Sequence, residues 1–265
     1  MADDPFDGRT AFAHGLADAA GAVIVPFFRR RIEVTNKAGG DLYDPVTEAD
    51  RGAERALRAL IEKHYPDDAI LGEEYGAKAG HSGFRWVLDP IDGTRAFIAG
   101  QPLWGTLISL EQDGVPVMGV LDQPFLRERF VGFQRTAELR NAEGVTLLNV
   151  RACAALAEAV ISTTHPILHF KDEERAQYFR VEKAARLSRY GGDCYAYALI
   201  AMGFVDLVIE TELKRWDVSA LVPIVEGAGG IVTNWQGGKI TDGGSIVAAG
   251  DVRVHAEALK ILNAR

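Results

Sequence analysis

The chain has 265 residues, of which 48% are hydrophobic and 25% are charged, so its composition excludes an intrinsically disordered protein. Its formal net charge of -8 argues against a general nucleic-acid binder and against a protein that binds anionic membranes. We expect no apolar run of membrane-spanning length, and the acidic first residues do not resemble a signal peptide. Cys153 and Cys194 lack metal-site spacing and are expected to be buried thiols. These features predict a cytoplasmic globular protein.

Two helices are predicted near the N-terminus. Apolar residues recur at helical spacing over residues 8–31, and Pro26 is expected to kink or shorten this helix. Residues 37–43 are rich in glycine and predict a loop. Thr47 and Asp50 then have the spacing of a capping box ahead of a second helix. Asp50 could instead reach a catalytic hydroxyl.

An acidic motif follows a predicted strand in the sequence WVLDPIDGT. Asp89 and Asp92 come at the end of a buried strand, and Pro90 is expected to stop the strand pairing there. Gly93 and Thr94 can then open a helix. Two carboxylates beside a helix N-terminus can hold divalent cations, and the first helical amides can bind an anion. For this motif alone, an acidic turn that only caps a helix is the alternative.

The two halves of the chain differ in pattern. After the first helices, an antiparallel meander is predicted, with a hairpin signal at residues 113–114. The second half alternates strands and helices, which implies a covered sheet with more parallel pairing. The sequence therefore predicts an α+β fold with an N-terminal lobe of residues 1–143 and a C-terminal lobe of residues 144–265.

Two further acidic positions complete the motif. Glu73 follows a short predicted strand, and Asp217 begins a predicted helix in the second half. Mg²⁺ prefers octahedral oxygen coordination, retains several waters and accepts phosphate oxygens at its remaining positions. Each carboxylate alone is ambiguous. Together with Asp89 and Asp92, these carboxylates predict a magnesium site.

With this set of carboxylates, the chain resembles the inositol monophosphatase superfamily of Mg²⁺-dependent phosphatases. Both signatures of that superfamily are present, at residues 86–94 and 216–230, and the resemblance extends from the first helix to the last. Three connecting segments are most similar to the histidinol-phosphate phosphatases of this fold: FIAGQPLWGT at residues 97–106, GVLDQP at residues 119–124 and GDCYAYAL at residues 192–199. The resemblance implies a layered α-β-α-β-α sandwich, two or three Mg²⁺ ions and a homodimer.

The resemblance also implies which residues bind metal. Glu73, Asp89 and the backbone carbonyl of Ile91 are similar to the ligands of a first ion. Asp89, Asp92 and Asp217 are similar to those of a second ion. A third, weaker ion is expected near Glu73.

Catalytic roles come from the same resemblance. Glu73 and Thr94 would orient a metal-activated water that attacks phosphorus directly, without a phosphoenzyme. Asp50 would accept a hydrogen bond from the Thr94 hydroxyl, and the amides of Gly93 and Thr94 would bind the phosphate. The three-residue spacing of the carboxylates also differs from the D-x-D motif of phosphatases that use an aspartyl nucleophile.

Substrate choice is expected to depend on the second half of the chain. Asp193 replaces a small residue of inositol phosphatases, and Glu210 falls where those enzymes contact ring hydroxyls. Because acidic side chains suit a cationic substrate, we expect this pair to hold the amino-alcohol and imidazole end of L-histidinol phosphate. Gly192 and Thr164 are expected to line the same pocket. Alternatively, Asp193 is the N-cap of the helix that follows.

Three functions remain open from the sequence. The first is Mg²⁺-dependent hydrolysis of L-histidinol phosphate to L-histidinol and phosphate, a reaction of histidine biosynthesis. The second is the same chemistry on inositol 1-phosphate, another sugar phosphate or a nucleotide phosphate. The third is a non-catalytic binding protein on a phosphatase fold, which the complete carboxylate set disfavours. No role is assigned to Lys37, Arg127 or the aromatic pair Tyr195 and Tyr197.

Overall fold

Helices and sheets alternate in layers in a computed structural model, which describes Phe6 and residues 8–31, 33–36 and 45–264. The loop predicted at residues 37–43, which includes Lys37, lies outside the described residues. One layer is an eight-stranded sheet and another is a five-stranded sheet. The predicted α+β class is therefore confirmed.

The first half of the chain builds the larger sheet. Its elements in chain order are α1 (Arg9–Ile24), β1 (Val34–Asn36), β2 (Pro45–Thr47), α2 (Glu48–His64), β3 (Ala69–Gly72), β4 (Gly76–Lys78), β5 (Phe84–Asp92), α3 (Thr94–Ile98), β6 (Gly105–Gln112), β7 (Val115–Gln123), β8 (Glu128–Phe133), β9 (Thr136–Asn141) and β10 (Gly144–Leu147). Strands β1 and β2 form a small antiparallel pair. The large sheet has the order β10-β9-β8-β7-β6-β5-β3-β4, in which β3 and β5 are parallel and the other neighbours are antiparallel. The predicted meander is confirmed.

The second half builds the smaller, mixed sheet. Its elements are β11 (Val160–Thr163), α4 (Pro166–His169), α5 (Asp172–Ala184), β12 (Leu187–Tyr190), α6 (Asp193–Ala201), β13 (Leu207–Leu213), α7 (Arg215–Val218), α8 (Leu221–Gly227), β14 (Ile231–Asn234), β15 (Gly244–Ala249) and α9 (Val252–Leu262). The sheet order is β12-β11-β13-β15-β14, with β11 parallel to both neighbours and β15 antiparallel to both of its neighbours. The expectation of more parallel pairing in this half is confirmed.

Three apolar clusters fill the spaces between the layers. The first packs α1 and α2 against one face of the eight-stranded sheet. The second surrounds α6 and α8, which lie between the two sheets. The third packs α5 and α9 against the outer face of the five-stranded sheet. The resulting layer order is α-β-α-β-α, as the resemblance implied. Both cysteines are buried and free.

Local signals near the N-terminus set the helix ends that the sequence predicted. Helix α1 stops at Ile24, and a 3-10 turn follows at Val25–Phe27, because Pro26 has no N–H to donate to the preceding turn. Thr47 is the N-cap of α2, and its backbone N–H donates to Oδ2 of Asp50 at 2.8 Å. The predicted capping box is therefore confirmed.

Two proline-related predictions are corrected by the structure. Strand β5 continues through Pro90 to Asp92, so the expected stop at the proline is wrong. The pairing of β5 with β6 shifts register between Asp89 and Asp92, and this irregularity accommodates a residue without an N–H. The single helix predicted to begin at Asp217 is divided into α7 and α8. A continuous helix would lose one hydrogen bond at Pro223, which instead lies in the first turn of α8.

Helix α1 is more apolar than the sequence analysis expected. With the turn that follows it, the segment Arg9–Phe27 is long and apolar enough to cross a membrane by length and composition. The expectation that no apolar run reaches this length is therefore wrong. A core helix and an N-terminal signal sequence share this composition. Here α1 packs on α2 and on strands β6 and β7.

Strands β9 and β10 lie at one edge of the large sheet and were not predicted. The β9 sequence contains alanine, glutamate and asparagine, which are depleted in strands, so its pattern is weak. β10 pairs with β9, so the large sheet extends to Leu147. The division into lobes at residues 143 and 144 stays a prediction.

Candidate metal and phosphate site

Three carboxylates from two distant parts of the chain converge at the end of β5. Asp89 and Asp92 lie on β5, and Asp217 lies on α7, which packs against β5. Each of the three offers a carboxylate oxygen, and these oxygens lie within 4.8 Å of one another. The structure thus brings together the carboxylates that the sequence singled out.

Glu73 approaches this cluster from the neighbouring strand. It follows β3, and its backbone N–H donates to the carbonyl of Leu88 at 3.2 Å. Because β3 and β5 are parallel, the residues that follow both strands lie at the same edge of the sheet. The charge of Glu73 contributes to raising the pKa values of Asp89 and Asp217. Glu73 therefore lies close enough to act on two of the three clustered carboxylates.

The carboxylates of the acidic cluster have raised pKa values, and Asp89 is buried while Asp92 and Asp217 are half-buried. Burial raises the pKa of Asp89 well above its usual value, and the charges of Glu73 and Asp92 raise it further. Burial likewise raises the pKa of Asp92, and it raises the pKa of Asp217 to about 7. A divalent cation would relieve this repulsion, and carboxylate oxygens are the ligands that Mg²⁺ prefers. The donor set fits such an ion.

The chain turns sharply between β5 and α3. Gly93 has a φ of 82°, in the left-handed region that favours glycine. The hydroxyl of Thr94, the first residue of α3, donates to the carbonyl of Ile91 at 3.0 Å. Asp50 accepts from the amide and the hydroxyl of Thr47. The predicted bond from Thr94 to Asp50 is therefore not among the hydrogen bonds of the described chain, because the single hydroxyl proton goes to Ile91.

The carboxylate of Asp92 has a partner that the sequence analysis missed. The backbone N–H of Cys194 donates to Oδ2 of Asp92 at 2.7 Å. Cys194 lies in the first turn of α6, where backbone amides lack intrahelical partners. Asp92 thus caps a helix of the second half. No local pattern could reveal this contact, since the two residues are 102 positions apart.

Asp193 directly precedes Cys194 and lies beside this contact. It is the first residue of α6, with a φ of 42°, and Gly192 occupies the N-cap position, where no side chain caps the helix. The alternative prediction of Asp193 as N-cap is therefore wrong. A Cβ atom on Gly93 would lie 3.1 Å from the Cβ of Asp193. Burial raises the pKa of Asp193 to about 6, and the nearby Arg95 guanidinium acts in the opposite direction.

Glu210 lies on β13 and is held by two threonines. Thr164 donates from its amide and its hydroxyl to Oε1 of Glu210, at 2.7 Å and 2.9 Å. The hydroxyl of Thr163 donates to Oε2 at 3.3 Å. Burial raises the pKa of Glu210 to about 8, and the charge of Asp193 contributes. Thr164, which was expected to line the pocket, thus orients Glu210.

A profile of the inositol monophosphatase family matches residues 7–264. This chain belongs to the inositol monophosphatase family. The superfamily assignment made from its two signatures is confirmed. Members of this family are metal-dependent phosphatases, and the acidic cluster at the end of β5 agrees with that chemistry.

Three similar proteins illustrate the range of this family. The chloroplastic bifunctional phosphatase IMPL2 of Arabidopsis thaliana is 42% identical over an alignment of 273 residues, gaps included. This alignment covers 99% of this chain and 77% of that protein. A histidinol-phosphatase of Chlorobaculum parvum is 35% identical, over 88% of this chain and 89% of its own length. The solved structure of an inositol monophosphatase from Zymomonas mobilis is 41% identical, with a TM-score of 0.87 over 98% of this chain and all (100%) of that chain.

The other candidates in this inositol monophosphatase family member lie in its interior or away from the cluster. Tyr195 donates its hydroxyl to Glu128, and Tyr197 is buried between the two sheets. Within the described chain, the Tyr197 hydroxyl has no hydrogen-bond partner. Arg127 lines a separate open cavity of about 600 Å³ between α1 and strands β7 to β9. Both tyrosines therefore pack in the core.

Proposed function

We propose that this chain is a Mg²⁺-dependent phosphomonoesterase that hydrolyses L-histidinol phosphate to L-histidinol and phosphate. The observation that carries this proposal is the pair Asp193 and Glu210 beside the three-carboxylate cluster. Burial raises the pKa of each, to about 6 and about 8, so a bound cation would stabilise their ionised forms. L-Histidinol phosphate carries an ammonium group and an imidazole. The similarity to a histidinol-phosphatase of Chlorobaculum parvum supports this substrate.

The proposed metal ligands are those that the resemblance indicated. Glu73, Asp89 and the carbonyl of Ile91 would hold one Mg²⁺ ion, and Asp89, Asp92 and Asp217 would hold a second. The carbonyl oxygen of Ile91 accepts from Thr94 and has a second lone pair for a metal. A third ion near Glu73 is part of the same proposal. When bound, Mg²⁺ supplies charge stabilisation at the phosphate and a water of lowered pKa for direct attack on phosphorus.

The protein's own groups would bind and orient the reactants. The backbone amides of Gly93 and Thr94, at the start of α3, would donate to phosphate oxygens. Glu73 and the Thr94 hydroxyl would orient the attacking water. Because that hydroxyl now donates to Ile91, it would have to rotate to donate to Asp50. The catalytic role of Asp50 therefore requires this rotation.

The alcohol portion of the substrate would contact the second half of the chain. Asp193 and Glu210 would bind its cationic groups, with Thr164 fixing the carboxylate of Glu210. Gly192 would line the pocket with backbone atoms alone, since a Cβ there would lie 2.7 Å from the Cβ of Ala196.

Removal of the negative charge of one residue tests this substrate assignment. Asp193→Asn should lower kcat/KM for L-histidinol phosphate about 10- to 100-fold, because a charge-assisted hydrogen bond contributes roughly 1.5–3 kcal/mol. The same variant should change kcat/KM for inositol 1-phosphate by less. Asp172→Asn is the matched control, since Asp172 is exposed and pairs with Arg175 on the surface of α5. Unchanged kinetics of Asp193→Asn on L-histidinol phosphate would contradict the assignment.

Inositol 1-phosphate, or another sugar or nucleotide phosphate, is the second candidate substrate. The similarity to the Zymomonas mobilis inositol monophosphatase favours it, and so does the Arg95 guanidinium that offsets part of the Asp193 charge. Kinetics of the wild-type enzyme on both substrates distinguish the candidates, and a clear preference for inositol 1-phosphate would reject our choice. Phosphate release that is absent both with and without Mg²⁺ would favour the non-catalytic alternative.

Homodimerisation and a cytoplasmic location stay predictions, as do the expected absences of nucleic-acid and membrane partners. Light scattering after size-exclusion chromatography would measure the oligomeric state. The location needs imaging in the source cell, since one relative with 42% identity is chloroplastic.

A further inference from the structure

A buried glutamate contacts the residues on both sides of Asp217. Glu111 on β6 has a side chain with no solvent exposure. Its Oε1 accepts from Nε of Arg215 at 2.7 Å and from the hydroxyl of Ser219 at 2.8 Å. Asp217 lies midway between these two donors in sequence. One carboxylate therefore holds the residues two before and two after a proposed metal ligand.

The guanidinium of Arg215 is fixed on its other side as well. It donates to the carbonyl of Gly114 at 2.5 Å, to Oδ1 of Asp242 at 3.1 Å and to the carbonyl of Thr241. These acceptors lie in the hairpin between β6 and β7 and in the segment before β15. The planar, five-donor guanidinium thus joins three parts of the chain around α7.

Helix α7 needs such contacts because it consists of four residues. A helix of one turn is unstable by itself, so tertiary contacts must set its position. Asp89 and Asp92 have their relative position set by the strand they share, whereas Asp217 arrives from a distant part of the chain. Glu111 lies on β6, which pairs directly with β5. It therefore ties α7 to the strand that carries the other two carboxylates.

We propose that Glu111 is a positioning residue of the metal site, which acts through Arg215 and Ser219 to hold Asp217 against Asp89 and Asp92. The inference rests on the proposed metal role of Asp217. In this proposal Glu111 acts through these two residues and not directly on substrate or metal. Contacts that orient a metal ligand typically contribute 10- to 100-fold to metal affinity, so loosening this one should weaken binding at the Asp217 site.

Arg85 provides a matched control for the experiment. From β5, its Nε donates to Oε2 of the same glutamate at 2.7 Å, and within the described chain no hydrogen bond of Arg85 goes to α7. Arg215→Lys and Arg85→Lys therefore each alter one charged hydrogen bond to Glu111. Ser219→Ala removes the hydrogen bond that Glu111 accepts from the residue after α7, through the loss of one oxygen atom.

The readout is Mn²⁺ binding to metal-free protein, measured from the electron paramagnetic resonance signal of free Mn²⁺. Arg215→Lys and Ser219→Ala should raise the Kd of one Mn²⁺ site about 10-fold, whereas Arg85→Lys should leave it within about twofold. Thermal unfolding without metal measures the structural cost of each change separately. If Arg215→Lys does not fold, Ser219→Ala decides the question.

Two results would overturn the inference. The first is an unchanged Kd in both α7 variants, and the second is equal weakening by Arg85→Lys and Arg215→Lys. Asp217→Asn separates the inference from the proposal beneath it. If Asp217→Asn binds Mn²⁺ as tightly as the wild type, the metal role of Asp217 fails, and the role of Glu111 fails with it.

Discussion

The carboxylate of Asp92 accepts a hydrogen bond from the backbone amide of Cys194 at 2.7 Å, so one side chain joins the end of β5 to the start of α6. This amide offsets a part of the negative charge. Burial and the charges of Asp193 and Asp217 still raise the pKa of Asp92 well above its usual value. The carboxylate of Asp92 therefore makes a structural hydrogen bond and is also repelled by the negative charges around it.

Replacing Asp92 with asparagine should separate these two properties. The amide oxygen can still accept from Cys194, while one charge is removed from the acidic cluster. We expect metal-free Asp92→Asn to unfold about 2–4 °C higher than the wild type, which corresponds to about 1 kcal/mol. Phosphatase activity should fall at least about 100-fold, because a proposed metal ligand has lost its charge. Thermal scans with and without Mg²⁺, together with phosphate-release assays, check both points, and a variant that Mg²⁺ stabilises as much as it stabilises the wild type would contradict the ligand assignment.

Replacement of Glu210 with glutamine should stabilise the protein in a pH-dependent way. Its pKa is raised to about 8 in the folded protein from an ordinary value of 4.5, chiefly by burial. A carboxyl group with a raised folded pKa costs no stability below the unfolded pKa, and the cost grows as the pH rises toward the folded pKa. Glu210→Gln should therefore raise Tm by about 4–8 °C at pH 8, for roughly 2 kcal/mol, and by little at pH 4.5.

The same variant should lose activity while it gains stability. Glutamine keeps an acceptor for Thr164 but offers no charge to a cationic substrate. We expect kcat/KM for L-histidinol phosphate to fall about 10- to 100-fold. Tm measured at pH 4.5 and pH 8, together with steady-state kinetics, tests both effects. A Tm difference that is the same at the two pH values would show that the pKa of the Glu210 carboxyl is not raised in the folded protein.

The position of Glu73 depends on a close approach between Gly72 and Glu54. The buried carboxylate of Glu54 accepts from the amides of Glu74 and Tyr75 at 2.7 Å and 3.2 Å. A Cβ atom on Gly72 would lie 2.1 Å from Oε1 of Glu54. Any side chain at Gly72 must therefore displace the group that orders the segment carrying Glu73.

Gly72→Ala should destabilise the protein by about 1–3 kcal/mol, since overpacking of a buried site has this typical cost. It should also lower activity, because the loop that carries a proposed metal ligand moves. Gly15→Ala is the control, since a Cβ atom there meets nothing within 4 Å and alanine favours the helical state of α1. Urea unfolding and phosphate release measure the two variants. Equal stability of the two would refute the proposed clash.

Far from the metal ligands, a buried ion pair should affect stability alone. Arg9 donates from Nε and Nη2 to the two carboxylate oxygens of Asp68, at 2.8 Å and 2.7 Å. Its guanidinium also lies over the rings of Tyr65 and Phe84. Burial alone would raise the pKa of Asp68, but the bonds from Arg9 and Ser82 hold it below its usual value. The contribution to stability is therefore present above pH 4 or so and is lost as the pH falls further.

Asp68→Asn should cost about 3 kcal/mol at pH 7, because it leaves a buried guanidinium without its charged partner. The difference from the wild type should shrink below about pH 4, where the carboxyl becomes protonated first in the unfolded chain and, at lower pH, in the folded protein. Activity at 25 °C should stay near the wild-type value, since the pair does not contact the carboxylate cluster. Urea unfolding at pH 7 and pH 3.5 tests the pH dependence, and a constant difference would contradict it.

Residue type and spacing by themselves determined the local features of this protein and its family. The capping box of Thr47 and Asp50 uses atoms three residues apart, so the sequence contains all of it. The hairpin at Asp113 and Gly114, with φ values of 51° and 80°, likewise needs only residues that tolerate the left-handed region. The acidic signatures were sufficient for the superfamily assignment, which the family match confirms.

The tertiary structure alone decided what surrounds those residues. Asp92 accepts from Cys194, and Glu111 holds the turn that carries Asp217. The first contact joins residues 102 positions apart, and the bond from Arg215 to Glu111 joins residues 104 positions apart. A pattern read along the chain describes neighbours in sequence, whereas the partner and the pKa of a buried carboxylate depend on neighbours in space.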